Sequence, residues 1–202
     1  EDVMINCSEL EVTHVKNDIP KGFGSNHNMN FNLICGDYFV ILNPDIRIDD
    51  VDVFTKLIHH STENHDRVIV SPTIYNSDGK LEDNGRYFPT PLKIIRKILF
   101  RDKTVVPRRA GSASTKVDWL GGMFMVTHSK NYQILAGFDE GYFLYYEDVD
   151  LCNRAANCSI DREILHNASV IHEARRRSHR DMRYLKWHIA SIVRFWIKYY
   201  GR

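Results

Sequence analysis

Three carboxylates stand within four positions at Glu147-Asp148-Val149-Asp150, between the aromatic run Phe143-Leu144-Tyr145-Tyr146 and the apolar pair Leu151-Cys152. Carboxylates this close repel one another, so their crowding implies a proton, a cation or a nucleophile to be activated. Two other stretches share a theme with it. Leu42-Asn43-Pro44-Asp45 ends an apolar run in an acid, and Val170-Ile171-His172 ends one in an imidazole. In an open sheet buried on both faces, ligands sit beyond the carboxyl ends of strands, where Asp45 and His172 would emerge. An oxygen and a nitrogen from those two side chains suit Mn2+ or Mg2+, with phosphate oxygens and water completing the shell. Asp148 and Glu147 would open a helix whose free N–H groups favour the anionic form, the state a general base needs.

Each piece also has a plainer account. Asn-Pro-Asp is good turn chemistry, and Pro44 fixes the backbone there whatever Asp45 does. Acids at a helix start serve as caps, the role expected for Asp150. A histidine that is one of ten in a chain is commonly structural or exposed. Taken singly, no motif chooses between the two accounts. Taken together, they place three acid, base or ligand groups at the tips of three apolar segments.

The bulk properties set the bounds. A chain of 202 residues holds one domain with a sizeable core. A net charge of +1 gives no global pull toward nucleic acid, so no nucleic-acid partner is expected. The cysteines Cys7, Cys35, Cys152 and Cys158 form no CxxC pair, which suits reduced thiols and a cytoplasmic setting. No apolar run reaches the roughly 20 residues that a membrane span requires. A soluble or peripheral protein is expected.

Periodicity supplies the elements that must carry these groups. Residues 10–15 alternate like a strand, 17–25 form a loop, and 26–35 make a helix closed by Gly36. Tyr38-Phe39-Val40-Ile41-Leu42 is a strand buried on both faces, followed by a helix over 50–60 and a strand over 67–71. Asn76-Ser77-Asp78-Gly79 is a turn, 91–101 a short basic helix, and 108–116 a mobile loop. Strand pieces flank Gly121-Gly122, and further pieces cover Ile164 and Val170-Ile171. A long helix spans 182–200, with Trp187, Phe195, Trp196, Tyr199 and Tyr200 interleaved with Lys186, Arg194 and Lys198. That mix suits a membrane surface or, equally, a helix packed on the domain. The run Arg175-Arg176-Arg177 before it could grip a diphosphate. Alternating strands and helices argue for an α/β fold with a mostly parallel central sheet covered by helices on both faces.

In combination these motifs resemble the inverting glycosyltransferases of family 2, which have the Rossmann-like GT-A fold. The likeness is strongest to bacterial rhamnosyltransferases of O-antigen and cell-wall assembly. It runs in order through Gly22-Phe23-Gly24 with Asn26 and Asn28, Leu42-Asn43-Pro44-Asp45, Val117-Asp118-Trp119 and Gly121-Gly122. It continues through Gly137-Phe138-Asp139-Glu140-Gly141-Tyr142-Phe143, Glu147-Asp148-Val149-Asp150-Leu151-Cys152, His172 and Ser178.

The resemblance implies roles. Asp148 would be the catalytic base, assisted by Glu147. Gly22, Gly24, Asn28, Asn43, Asp45 and Arg177 would bind the donor, and Asp118, Trp119, Gly121 and Gly122 would bind the acceptor. Asp45 and His172 would hold the metal, Mn2+ or Mg2+. The implied reaction moves L-rhamnose from dTDP-L-rhamnose onto a saccharide linked to undecaprenyl diphosphate, on the inner face of the plasma membrane. A UDP-hexose or UDP-N-acetylhexosamine donor is the alternative, and a non-catalytic module holding a glycan or lipid is the rival of another class. Asn43 stands where the broader Asp-x-Asp pattern has an acid. The family's opening strands, which hold the nucleoside, are not found before residue 10. The chain is therefore expected to be one transferase domain, 1–202, partial at its N-terminus, with 180–200 as a basic aromatic helix.

Overall fold

A computed structural model describes residues 11–93, 105–108, 111–173 and 182–201. The apolar run after Gly36 forms β1 (Tyr38–Leu42), and β2 (Ile46–Arg47) follows the Asn-Pro-Asp turn. Helix α1 (Phe23–Phe31) precedes them, and α2 (Val53–Glu63) leads into the buried β3 (Val68–Asn76). The short β4 (Gly85–Arg86), β5 (Ser114–Lys116) and β6 (Trp119–Leu120) precede β7 (Phe124–His128) and α3 (Ser129–Ile134). Helix α4 (Glu147–Asn157), β8 (Asp161–His172) and α5 (Met182–Tyr200) complete the chain.

The central sheet runs β1-β7-β3-β8-β2, with β5 added to β8, while β4 and β6 pair separately. Alternate side chains of its strands enter two cores, as the period of two in a strand requires. Phe39, Ile41, Ile69, Met125 and Ile164 meet Leu151 and Ala155 of α4, together with Phe138. Val40, Val68, Val70, Phe124 and Leu165 meet Val53 and Leu57 of α2 on the opposite face. Fully buried side chains such as Ile41, Ile69 and Leu57 each contribute about 1.5–3 kcal/mol. Helices therefore cover both faces, as the doubly apolar strands predict.

The strand directions correct the sequence reading. Among the described residues only β3 with β8 pairs in parallel; β1 with β7, β7 with β3, β8 with β2 and β5 with β8 are antiparallel. A continuous apolar run reports burial on both faces and is silent on direction, and β7 slots between β1 and β3 running against both. Residues 11–15 form no strand and lie mostly exposed, so their alternation finds no partner. The first helix starts three residues earlier than expected, because Gly22 and Gly24 pack closely on the 138–143 loop. The pieces expected near Ile164 and Val170 are one strand, β8, with a register shift opposite Pro72 and Thr73. Residues Ser114–Lys116 of the expected loop join the sheet as β5. The basic helix expected over 91–101 lies outside the described residues from 94 onward.

Helix α5 spans the range its periodicity predicts and docks one face on a third core of Tyr142, Tyr146, Val149 and Phe195. Trp187 stacks on Phe143 at 4.7 Å, and His188 lies 5.0 Å from Tyr145. Ser191 donates to the Leu144 carbonyl, and Lys198 and Tyr199 bond the buried Asp150. Asp150 is therefore the anchor of α5 as well as a first-turn acid, more than the cap expected of it. The helix buttresses the segment that delivers Glu147 and Asp148.

Candidate active site

Two strand ends meet at Asp45 and His172. The Asn43-Pro44-Asp45 turn closes with Ile46 N–H donating to the Asn43 carbonyl at 3.3 Å. β2 then pairs with β8 so that Ile46 faces His172, and Glu173 N–H donates to the Asp45 carbonyl. The side chains consequently converge, with His172 Nε2 3.4 Å from Asp45 Oδ1. On the far side of the ring, His172 Nδ1 lies 2.7 Å from Glu82 Oε2. A carboxylate accepts, so Nδ1–H donates to Glu82, which fixes the ring with Nε2 turned toward Asp45.

This pair fits a divalent cation. Asp45 Oδ1 is shut off from solvent and has no hydrogen-bond donor. Two electron-rich atoms face one another across a gap close to the roughly 3 Å between adjacent ligands of a small octahedral cation. A carboxylate behind a metal-facing histidine is the usual outer support of such a ligand. Among the described residues no group of three or more His, Cys, Asp or Glu side chains forms a closed cage. Mn2+ and Mg2+ sites served by substrate phosphates need only one or two protein ligands.

The carboxylate pair is built differently. Tyr145 and Tyr146 both adopt the left-handed conformation, with φ of 69° and 66°. Such backbone costs about 1–2 kcal/mol per residue and turns the chain abruptly into α4. Asp148 Oδ2 then accepts from Gly122 N–H at 3.1 Å and Oδ1 from Val149 N–H at 2.8 Å. Glu147 is buried with Oε2 unpartnered. Burial, aided by the neighbouring Asp148 charge, pushes its carboxyl up to about 8. Burial also raises Asp148, opposed by the N–H groups of Gly122 and Val149. The two share a site that disfavours a second negative charge, and the N–H groups of Gly122 and Val149 oppose the rise at Asp148, whereas Glu147 Oε2 has no such partner.

One backbone link joins the Asp45–His172 pair to the carboxylate pair. Gly122, which holds Asp148, precedes Met123, whose carbonyl accepts from Asn43 N–H at 3.0 Å. The Gly121-Gly122 bend thus ties the base to the turn that carries Asp45.

The remaining predicted residues divide. Asp118 Oδ2 accepts from Phe88 N–H, and Trp119 Nε1 donates to the Tyr87 carbonyl, so both shape the 86–88 segment beside the carboxylates. Gly121 N–H donates to the Asn84 carbonyl. Asn28 is a correction. Its Oδ1 accepts from Tyr132 Oη and Phe138 N–H, and its Nδ2 donates to the Phe138 carbonyl and Glu140. An amide so engaged has nothing left for a donor sugar; it clamps the turn at Gly137, where a Cβ would fall 2.3 Å from its Oδ1. Gly22 and Gly24 serve close packing too, since a Cβ would meet the Phe143 carbonyl oxygen at 2.8 Å and the Phe138 side chain at 2.6 Å. Arg177 lies outside the described residues. Glu82 was missed by the sequence reading. It follows a turn in an irregular stretch, and only the position of His172 gives it meaning.

Known proteins resemble this chain at low identity. The chain is 29% identical over 189 residues to rhamnosyltransferase WbbL of Escherichia coli K12, covering 86% of this chain and 69% of that protein. It is 25% identical over 161 residues to the low-salt glycan biosynthesis hexosyltransferase Agl10 of Haloferax volcanii, covering 77% of the chain. It is 23% identical over 153 residues to the N-acetylglucosaminyl-diphospho-decaprenol L-rhamnosyltransferase of Mycobacterium tuberculosis, covering 72%. The chain spans 50% of the length of each of those two relatives. No family profile matches. In structure it resembles GalNAc-T7, solved with UDP, GalNAc and Mn2+, with a TM-score of 0.59 over 80% of this chain and 32% of that one. At 12% identity that likeness is one of fold.

Proposed function

We propose that this chain, a glycosyltransferase of the family 2 type with the GT-A fold, moves L-rhamnose from dTDP-L-rhamnose onto a lipid-diphosphate-linked saccharide, inverting the anomeric centre. The observation that carries the proposal is the facing pair Asp45 Oδ1 and His172 Nε2, tied through Asn43, Met123 and Gly122 to the Asp148 carboxylate, which accepts two backbone N–H groups.

The chemistry follows from the residues. Asp148 accepts the proton of the acceptor hydroxyl as its oxygen attacks the anomeric carbon. The bond from that carbon to the nucleoside diphosphate breaks, and the electron pair leaves on the phosphate oxygen. Glu147, held in its protonated form by burial, adds no second negative charge beside Asp148. Gly122 N–H fixes the carboxylate, while Trp119 and Asp118 border the acceptor side. Asp45 and His172 would hold Mn2+ or Mg2+, which when bound supplies charge neutralisation for the departing diphosphate.

The relatives' names support the substrates: two are called rhamnosyltransferases, and one of these names a diphospho-decaprenol sugar. A membrane-bound acceptor suits α5. Its outer face exposes Met182, Leu185, Ile189, Val193 and Ile197 at helical spacing. The helix also carries basic residues and no acidic one. Two copies packed on that face would bring like charges together, whereas an anionic bilayer surface would complement them. No described helix is long and apolar enough to cross a membrane.

A donor panel tests the proposal. Thermal unfolding with Mn2+ should rise with dTDP and not with UDP, and rhamnose should pass from dTDP-L-rhamnose to a diphosphate-linked acceptor. Stabilisation by UDP instead would move the donor to a UDP-hexose or UDP-N-acetylhexosamine. Absence of transfer from every donor would leave a glycan- or lipid-binding module.

A further inference from the structure

Arg86 has no role in the reaction described so far; like Arg154 it has a guanidinium nitrogen that is buried without an acceptor, but Arg154 is paired through Nε with Asp150 and Arg86 has no such pairing among the described residues. Arg154, Arg162 and Arg194 each donate to carboxylates or carbonyls. Arg86 Nε is shut off from solvent with no acceptor, and among the described residues no carboxylate pairs with its guanidinium. A permanently charged group with a desolvated, unpaired donor costs free energy unless an anion completes it.

Its location says which anion. Arg86 lies in β4 opposite Trp119 of β6, with Cζ 5.7 Å from the indole centroid. Its backbone carbonyl accepts from Asp118 N–H. Its charge is felt at Asp148 and at Tyr146. Both Asp148 oxygens already accept backbone N–H groups, and no contact joins them to Arg86. The guanidinium is thus a neighbour of the base without being its hydrogen-bond partner. An aromatic floor beneath a guanidinium fork fixes the plane in which two parallel N–H groups can be offered to a phosphate.

We propose that Arg86, laid over Trp119, is the anion clamp of the acceptor side and grips the diphosphate of a lipid-linked sugar on the side of the sheet that carries Asp148. The assignment rests on the transferase reading above and adds the group by which the acceptor is recognised. The donor diphosphate belongs to the Asp45–His172 end, so each diphosphate has its own cation.

Calorimetric titration with farnesyl diphosphate, with farnesol as the neutral control and EDTA present to silence the cation site, tests the clamp without sugar transfer. R86Q should weaken farnesyl diphosphate binding about tenfold or more and leave farnesol unchanged. R86K, which keeps the charge but loses the fork, should fall between, and it carries the test alone should R86Q not fold. Equal affinity of wild type and variants for farnesyl diphosphate would overturn the clamp, as would an R86Q defect confined to dTDP binding. A chain that moves no sugar yet binds through Arg86 would refute the transferase reading alone. An active transferase whose diphosphate binding ignores Arg86 would refute the clamp alone.

Discussion

Asp45 and Asp148 each stand at the end of a secondary-structure element, yet the protein treats them in opposite ways. Asp45 emerges from a proline-fixed turn between two strands, with one oxygen unpartnered and a histidine ring facing it. Asp148 follows two left-handed tyrosines, accepts two backbone N–H groups and shares its negative charge with a buried neighbour. The first arrangement is the one to which the proposal assigns a cation. The second supplies the partners from the protein itself and uses burial to set protonation. A transferase of this kind needs both: one end that waits for charge and one end that already holds it.

Substitutions can separate the two ends. The largest effect should come from D148N, which keeps the shape of the side chain and loses the proton acceptor. Turnover should fall about 10²–10⁴-fold while Mn2+ and dTDP still raise the unfolding temperature as in wild type. Equal loss of turnover and ligand stabilisation would mean that the two ends are not distinct.

E82Q should act on the other end only. It removes the carboxylate behind His172 and should weaken Mn2+ binding about 10–100-fold by titration. The pH dependence of the residual turnover should be unaltered. A shifted pH profile with normal Mn2+ affinity would place Glu82 with the base instead.

The smallest effect is one of stability. The Glu147 carboxyl is raised in the folded protein to about 8 from an ordinary 4.5. The folded state therefore holds a proton that the unfolded chain releases, so this contribution is full below about pH 4.5 and fades as pH rises toward 8. E147Q, which cannot ionise, should unfold at nearly the wild-type temperature at pH 4. It should be about 1–3 kcal/mol more stable than wild type at pH 8.5. A pH-independent difference would show that Glu147 is not the buried proton carrier.

The same contrast explains how much was legible in the sequence. Asp45 and His172 were visible because each follows an apolar run, and chain ends of a buried sheet are where ligands bind. The crowding of acids around Asp148 was legible from the sequence, and the role of that residue as base is what D148N tests. Strand direction was not visible, since Tyr38–Leu42 and Phe124–His128 read as buried whichever way they run, and they pair antiparallel. Glu82 and Arg86 were hidden for a common reason. They lie in the irregular 81–88 stretch, where no period points a side chain, and their meaning depends on His172 and Trp119 far along the chain. Asn28 misled for the opposite reason: the resemblance implied a donor contact there, but its amide is consumed by Tyr132, Phe138 and Glu140.

The most direct test of the account is anomalous diffraction at the manganese edge from crystals soaked with Mn2+ and dTDP. The account predicts one strong peak within bonding distance of Asp45 Oδ1 and His172 Nε2, with the diphosphate on its open side and Asp148 across the same cleft. A manganese peak bound by other residues, or a diphosphate seated away from Asp45 and His172, would contradict it.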